Sequence, residues 1–138
     1  MKGYCKVRIF FNQFLFESNI FKMTEQEIAK HFDRIKAEKY IGKDPAVMNQ
    51  FIILIKKEIG KSISGLEEAI NLNDLHELKR IGHRLKGATL TAGMQILSNI
   101  AIQFSEMTSW NQKDAEQNLI NFKNEAELVM IILNHENA

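Results

Sequence analysis

The chain has 138 residues, 45% of them apolar and 25% charged, which is enough for one hydrophobic core and unlike a disordered or fibrous protein. A formal net charge of +1 gives no global pull toward nucleic acid or an anionic membrane surface, and no apolar run approaches the roughly 20 residues that span a bilayer. The single cysteine, Cys5, excludes an intramolecular disulfide and fits a reducing, cytoplasmic setting.

Residues 1–23 carry four Lys/Arg against one Glu, with Ile9-Phe10-Phe11 and Phe14-Leu15-Phe16 behind the basic residues. Asn12 and Gln13 interrupt this run and no small-residue cleavage site follows, so the segment reads as an N-terminal extension, or as an upstream start before Met23, rather than a signal peptide. Residues 24–138 read as one helical domain. Thr24 and Glu27 have capping-box spacing, which predicts a first helix from Thr24 to about Ile41 with Ile28, Phe32 and Ile35 on its buried face. Asp44-Pro45 reads as an N-cap followed by proline at the first helical position. The stripe Val47, Phe51, Ile55, Ile59, Ile63, Leu66 and Ile70 then predicts a long second helix, closed by Asn71-Leu72-Asn73.

Asp74 with Glu77 marks the start of a third helix. Its core face reads Leu75, Leu78, Gly82, Leu85 and Thr89, with Ile81 and Ala88 alongside; its other face holds His76, Lys79, Arg80, His83, Lys86 and Gly87. Ile96, Leu97, Ile100, Ala101, Phe104 and Met107 predict a fourth helix ending near Trp110. A fifth, from about Gln112, presents Ala115, Leu119, Phe122, Ala126, Met130 and Leu133. Consecutive amphipathic helices on short connections predict an all-α, up-down antiparallel bundle. The two Lys against six Asp/Glu of residues 104–138 read as a solvated helix face.

The chemistry concentrates on the third helix. His83, Lys86 and Gly87 stand at i, i+3 and i+4 and share a face. Lys79, Arg80, Arg84 and Lys86 surround an imidazole that can itself become positive, an unfavourable arrangement unless an anion is expected there. An imidazole, with an ordinary pKa of about 6.5, is largely neutral at pH 7 and has a nitrogen lone pair free to attack phosphorus. Phosphorylation adds close to two negative charges, which Lys86 one turn away is placed to offset. Gly87 costs about 1 kcal/mol against Ala in a helix interior. Its place beside His83, off the Leu stripe, favours clearance for a docking surface over close helix packing.

His83-Arg84-Leu85-Lys86-Gly87-Ala88-Thr89-Leu90-Thr91-Ala92-Gly93 resembles the signature of histidine-containing phosphotransfer (HPt) domains, and Leu97, Ile100 and Phe104 match the apolar spacing of that family's next helix. Upstream, Leu66-Glu67-Glu68-Ala69-Ile70 and Asp74 to Leu85 resemble the helix pair that precedes and bears its histidine. The likeness covers residues 44–108 well. Ala88-Thr89 stand where small residues, often Ser, are usual, and Met94 where Ala is more common.

The resemblance implies a four-helix core plus an N-terminal helix, and a phosphorelay carrier rather than an enzyme, with no ATP site. His83 would take a phosphoryl group from an aspartate of a response-regulator receiver domain and pass it to another; a hybrid sensor histidine kinase is an expected further partner. Lys86 would stabilise the phosphoryl group; Gly87, Arg84, Arg80, Lys79 and His76 would serve receiver docking. No cofactor or metal is expected on this chain, the receiver supplying Mg2+. A monomer is expected, with no membrane insertion and no nucleic-acid partner.

Rival readings are weaker. His76-Glu77-Leu78-Lys79-Arg80 resembles the H-box of sensor-kinase dimerisation domains, but Ile81-Gly82 follows where Thr-Pro is usual. A metal bundle needs Glu-x-x-His on two helices, and the four histidines offer no such repeat. Glu27 and His31 read as an exposed helix pair. A helical module that docks on receivers without being phosphorylated is the alternative that survives.

Overall fold

The computed structural model describes residues 22–136, and six helices lie among these described residues. In chain order they are α1 (Glu25–His31), α2 (Arg34–Ile41), α3 (Pro45–Asn71), α4 (Leu75–Thr91), α5 (Gln95–Ser105) and α6 (Gln112–Glu136). The expected extension over residues 1–23 falls, save its last two residues, outside the described part, as does Cys5.

Helix starts follow local chemistry. Thr24, Asp33, Asp44 and Asp74 each accept a hydrogen bond from a backbone N–H of the helix they open, satisfying one of its orphan donors. Helix ends do too. Asn73 (φ 52°) after α3 and Gly93 (φ 75°) after α4 take the left-handed conformation. In each case the next two N–H groups turn back on the last carbonyls: Asn73 to Ile70 and Asp74 to Ala69, Gly93 to Leu90 and Met94 to Thr89.

α3 to α6 form an up-down bundle in which each helix packs on the next and α6 closes against α3. The pairings run antiparallel: Glu67 meets Lys123 and Lys56 meets Asn134 between α3 and α6, while Lys86 meets Ser98 and Gly82 meets Phe104 between α4 and α5. The core holds Ile52, Ile59, Leu66, Leu78, Leu85, Leu97, Phe104, Phe122 and Leu133, with Phe104 and Phe122 edge to face at 6.3 Å. All-α architecture with a four-helix core is as expected. No helix among the described residues is long and apolar enough to cross a membrane.

Four expectations need correction. The first predicted helix is broken in two. Phe32 is extended and buried, Asp33 caps α2, and the Asp33 N–H donates to the Gly93 carbonyl at 2.8 Å. The break shifts the helical phase, so Ile35 points to solvent at 71% exposure. In α3 the buried stripe begins at Met48 and Ile52, not at Val47 and Phe51, because Met48, Ile52, Ile55 and Ile59 fall on the helical face that continues to buried Leu66, whereas Val47 is exposed and Phe51 half-buried. Finally, α5 stops at Ser105, five residues short of Trp110, where the Ile102 carbonyl accepts from both the Glu106 N–H and the Ser105 hydroxyl.

Candidate functional site

α4 carries the site, and its register is set from the buried side. Leu78, Leu85 and Thr89 are fully buried, which fixes the opposite face in solvent. His76, Arg80, His83, Arg84 and Gly87 are exposed, and Lys79 and Lys86 half-buried. The predicted residues therefore share one helix and the predicted face. α5 comes close enough to brace that helix because Gly82 lies against it; a Cβ there would sit 2.7 Å from the Phe104 Cβ and 2.9 Å from the Ser105 nitrogen.

Three hydroxyls were not anticipated. Buried Ser98 of α5 donates to the Lys86 carbonyl at 3.1 Å. Thr89 donates to the Leu85 carbonyl at 2.7 Å and Thr91 to that of Gly87 at 3.0 Å. Together they fasten the backbone of the very turn that bears Lys86 and Gly87. The available signal was Ser98 itself, a polar residue inside the stripe of Leu97 and Ala101.

The cations divide into two kinds. Arg80 donates twice to Glu77, at 2.6 and 2.8 Å, and this pairing is the main reason the Glu77 carboxyl lies below and the Arg80 guanidinium above its ordinary pKa. Arg84 reaches across to α3, its Nε 2.9 Å from Glu58 Oε1 and its Nη2 3.5 Å from Ser62 Oγ. Lys79 and Lys86 have no carboxylate within 4.0 Å among the described residues. Side chains on a helix lean toward its N-terminus, so the i+3 position of Lys86 puts its ammonium within reach of the turn that bears His83.

A Cβ added to Gly87 would meet nothing within 4 Å. Close helix packing therefore does not account for this glycine, and the surface beside His83 is open. Leu90, seven residues after His83 on the same face, is 46% exposed and adds an apolar contact point that the sequence did not single out.

His31 departs from its expected role. It does not form an exposed pair with Glu27; its Nδ1 lies 2.5 Å from Glu125 Oε1 of α6, in a buried setting. Burial, the larger effect, pushes the Glu125 carboxyl above its ordinary pKa, and the hydrogen bond from His31 opposes it. No group of three or more His, Cys, Asp or Glu that could hold a metal occurs among the described residues.

The family model described as Hpt domain matches residues 50–130, which takes in α4 with His83, Lys86 and Gly87 and most of α3 and α6. No curated protein and no solved structure matches the chain. The matched segment is more than half of the sequence and spans the four-helix core around the exposed histidine; the chain belongs to the Hpt domain family, the phosphotransfer modules of two-component phosphorelays.

Proposed function

We propose that this protein relays phosphoryl groups between receiver domains through a phosphohistidine at His83. The observation that carries the reading is the solvent-exposed imidazole of His83 next to open space at Gly87, on a helix whose other face is wholly core. A ring nitrogen attacks the phosphorus of an aspartyl phosphate on the partner. The N–P bond forms as the P–O bond breaks, the partner's carboxylate is released, and the ring proton stays on the other nitrogen. Reversal of the same step passes the group onward.

Such transfer depends on in-line positioning and charge compensation more than on acid–base machinery. Lys86 supplies the compensation: it has no competing carboxylate within 4.0 Å among the described residues and stands one turn after the histidine. Gly87 provides clearance for the receiver, and Leu90 a hydrophobic contact below it. Arg80 and Arg84, each already held by a carboxylate of this chain, contribute less to docking than their position suggests. Mg2+ belongs to the receiver.

The test is His83→Gln. Helical circular dichroism should be unchanged, and uptake of label from a phosphorylated receiver should vanish, together with acid-labile, base-stable phosphate on the chain. Uptake at the wild-type level in the variant sinks the assignment. Intact receiver binding without any phosphoryl uptake by the wild type would instead favour a docking module.

A further inference from the structure

The histidine motif occurs twice on α4. His76-Glu77-Leu78-Lys79 and His83-Arg84-Leu85-Lys86 share the pattern His-x-Leu-Lys, seven residues apart. Seven residues are nearly two helical turns, about 10.5 Å along the axis, so the copies fall on the same face. The structure treats them alike: both leucines are fully buried, both histidines exposed and both lysines half-buried. Neither lysine has a carboxylate partner within 4.0 Å among the described residues. Each leans toward the turn of the histidine three residues before it. Arg80, which reaches back three residues to Glu77, shows that direction directly. His76 thus has the chemical pair that His83 has, an accessible imidazole and a free ammonium one turn away.

The copies differ at two positions. Beside His83 the i+1 residue, Arg84, is drawn off to α3, and the i+4 residue, Gly87, leaves empty space. Beside His76 the i+1 residue is Glu77 and the i+4 residue is Arg80, and the two are joined by a bidentate ion pair. The surface a partner would need next to His76 is therefore filled. It also presents a carboxylate to any incoming phosphoryl group.

We infer that His76 is a second phosphoacceptor on α4, open to small phosphoryl donors and screened from protein donors by the Arg80–Glu77 pair. The screening half rests on the phosphorelay reading above; the acceptor half does not. With phosphoramidate as donor, the unprotonated ring nitrogen of His76 forms the N–P bond while the bond from phosphorus to the donor's protonated nitrogen breaks; neutral ammonia leaves, to be protonated by water, and the ring proton stays on the other nitrogen.

The full chain, H76Q, H83Q and H76Q/H83Q are each incubated with phosphoramidate and read by intact mass. The wild type should take two phosphoryl groups and each single variant one. The double variant should take less than about a tenth of the wild-type label, since His31 is held by Glu125 and exposed His135 has Ala138, not Lys, three residues on. H83Q labelled no more than H76Q/H83Q overturns the acceptor. A phosphorylated receiver should label the wild type and leave H83Q blank; receiver-driven label on His76 overturns the screening. Failure of every receiver to label the wild type counts against the phosphorelay reading and the screening that rests on it, whereas the acceptor stands or falls by the phosphoramidate series alone.

Discussion

Gly82 and Gly87 lie five residues apart on one helix and are glycine for opposite reasons. Gly82 is pressed against α5, where a Cβ would collide with backbone as well as with Phe104. Gly82→Ala should therefore destabilise the fold by about 1–3 kcal/mol through overpacking, seen as a lower midpoint in urea denaturation. Gly87 has no neighbour within 4 Å to collide with. Gly87→Leu removes a poor helix former, so it should hold or raise stability by up to about 1 kcal/mol while slowing transfer from a receiver at least about tenfold. A melting temperature that rises as the transfer rate falls separates a docking role from a folding role. Normal transfer in the variant would remove the clearance argument. The sequence distinguished the two glycines only by helical phase, Gly82 with the leucines and Gly87 with the histidine. That sufficed for α4 because its apolar residues keep unbroken periodicity.

The same logic failed at α1 and α2, where the deciding contact is not local. Thr24, Glu27, Ile28 and Phe32 are spaced for a continuous helix, and Asp33 is a tolerable interior residue. What breaks the helix is the bond from the Asp33 N–H to the Gly93 carbonyl, sixty residues ahead in sequence, with the Asp33 carboxylate then free to cap α2. Gly93 accepts that approach because it lacks a Cβ; one added there would overlap the Asp33 carbonyl oxygen, well inside van der Waals contact. The split also turns His31 toward Glu125, a pairing no helical period could reveal. Since burial holds the Glu125 carboxyl above its ordinary value, the fold disfavours its charged form. Its contribution to stability is largest below the unfolded value, about 4.3, and declines as pH rises through the raised folded value. Glu125→Gln removes that decline and keeps a hydrogen-bond partner for His31. The melting temperature of the variant minus that of the wild type should thus become more positive as pH rises from about 4 toward neutrality. A difference that shrinks over that range would show that the pairing with His31, and not burial, dominates. His31→Ala should instead cost about 1–3 kcal/mol at neutral pH, because it strands a buried carboxylate.

At the scale of the molecule, stability and relay chemistry draw on different parts of the chain. Every side chain assigned to the site, and every hydroxyl that fastens its backbone, comes from α3, α4 or α5. The N-terminal helices touch the bundle elsewhere: α1 lies on α5 and α6, and α2 on α3 and α4, near the Gly93 turn. That turn is about two helical turns beyond Gly87. Deleting residues 1–43 removes Phe32 and Ala37 from the core, takes the partner from the Gly93 carbonyl, and leaves Glu125 without its histidine. The burial of Phe32 alone is worth about 1.5–3 kcal/mol, and the stranded carboxylate adds about 1–3 kcal/mol. The shortened chain should therefore lose at least about 2.5 kcal/mol of unfolding free energy, measured in urea, yet remain helical if the parent bundle is as stable as most domains. Under native conditions it should take label from a phosphorylated receiver at a rate within about threefold of the full chain, because the geometry around His83 is braced by α5 and not by α1 or α2. A folded truncation that loses transfer would place part of the receiver contact on the N-terminal helices. Their exposed Ile35 and Tyr40, at 71% and 70%, would then be the first residues to test.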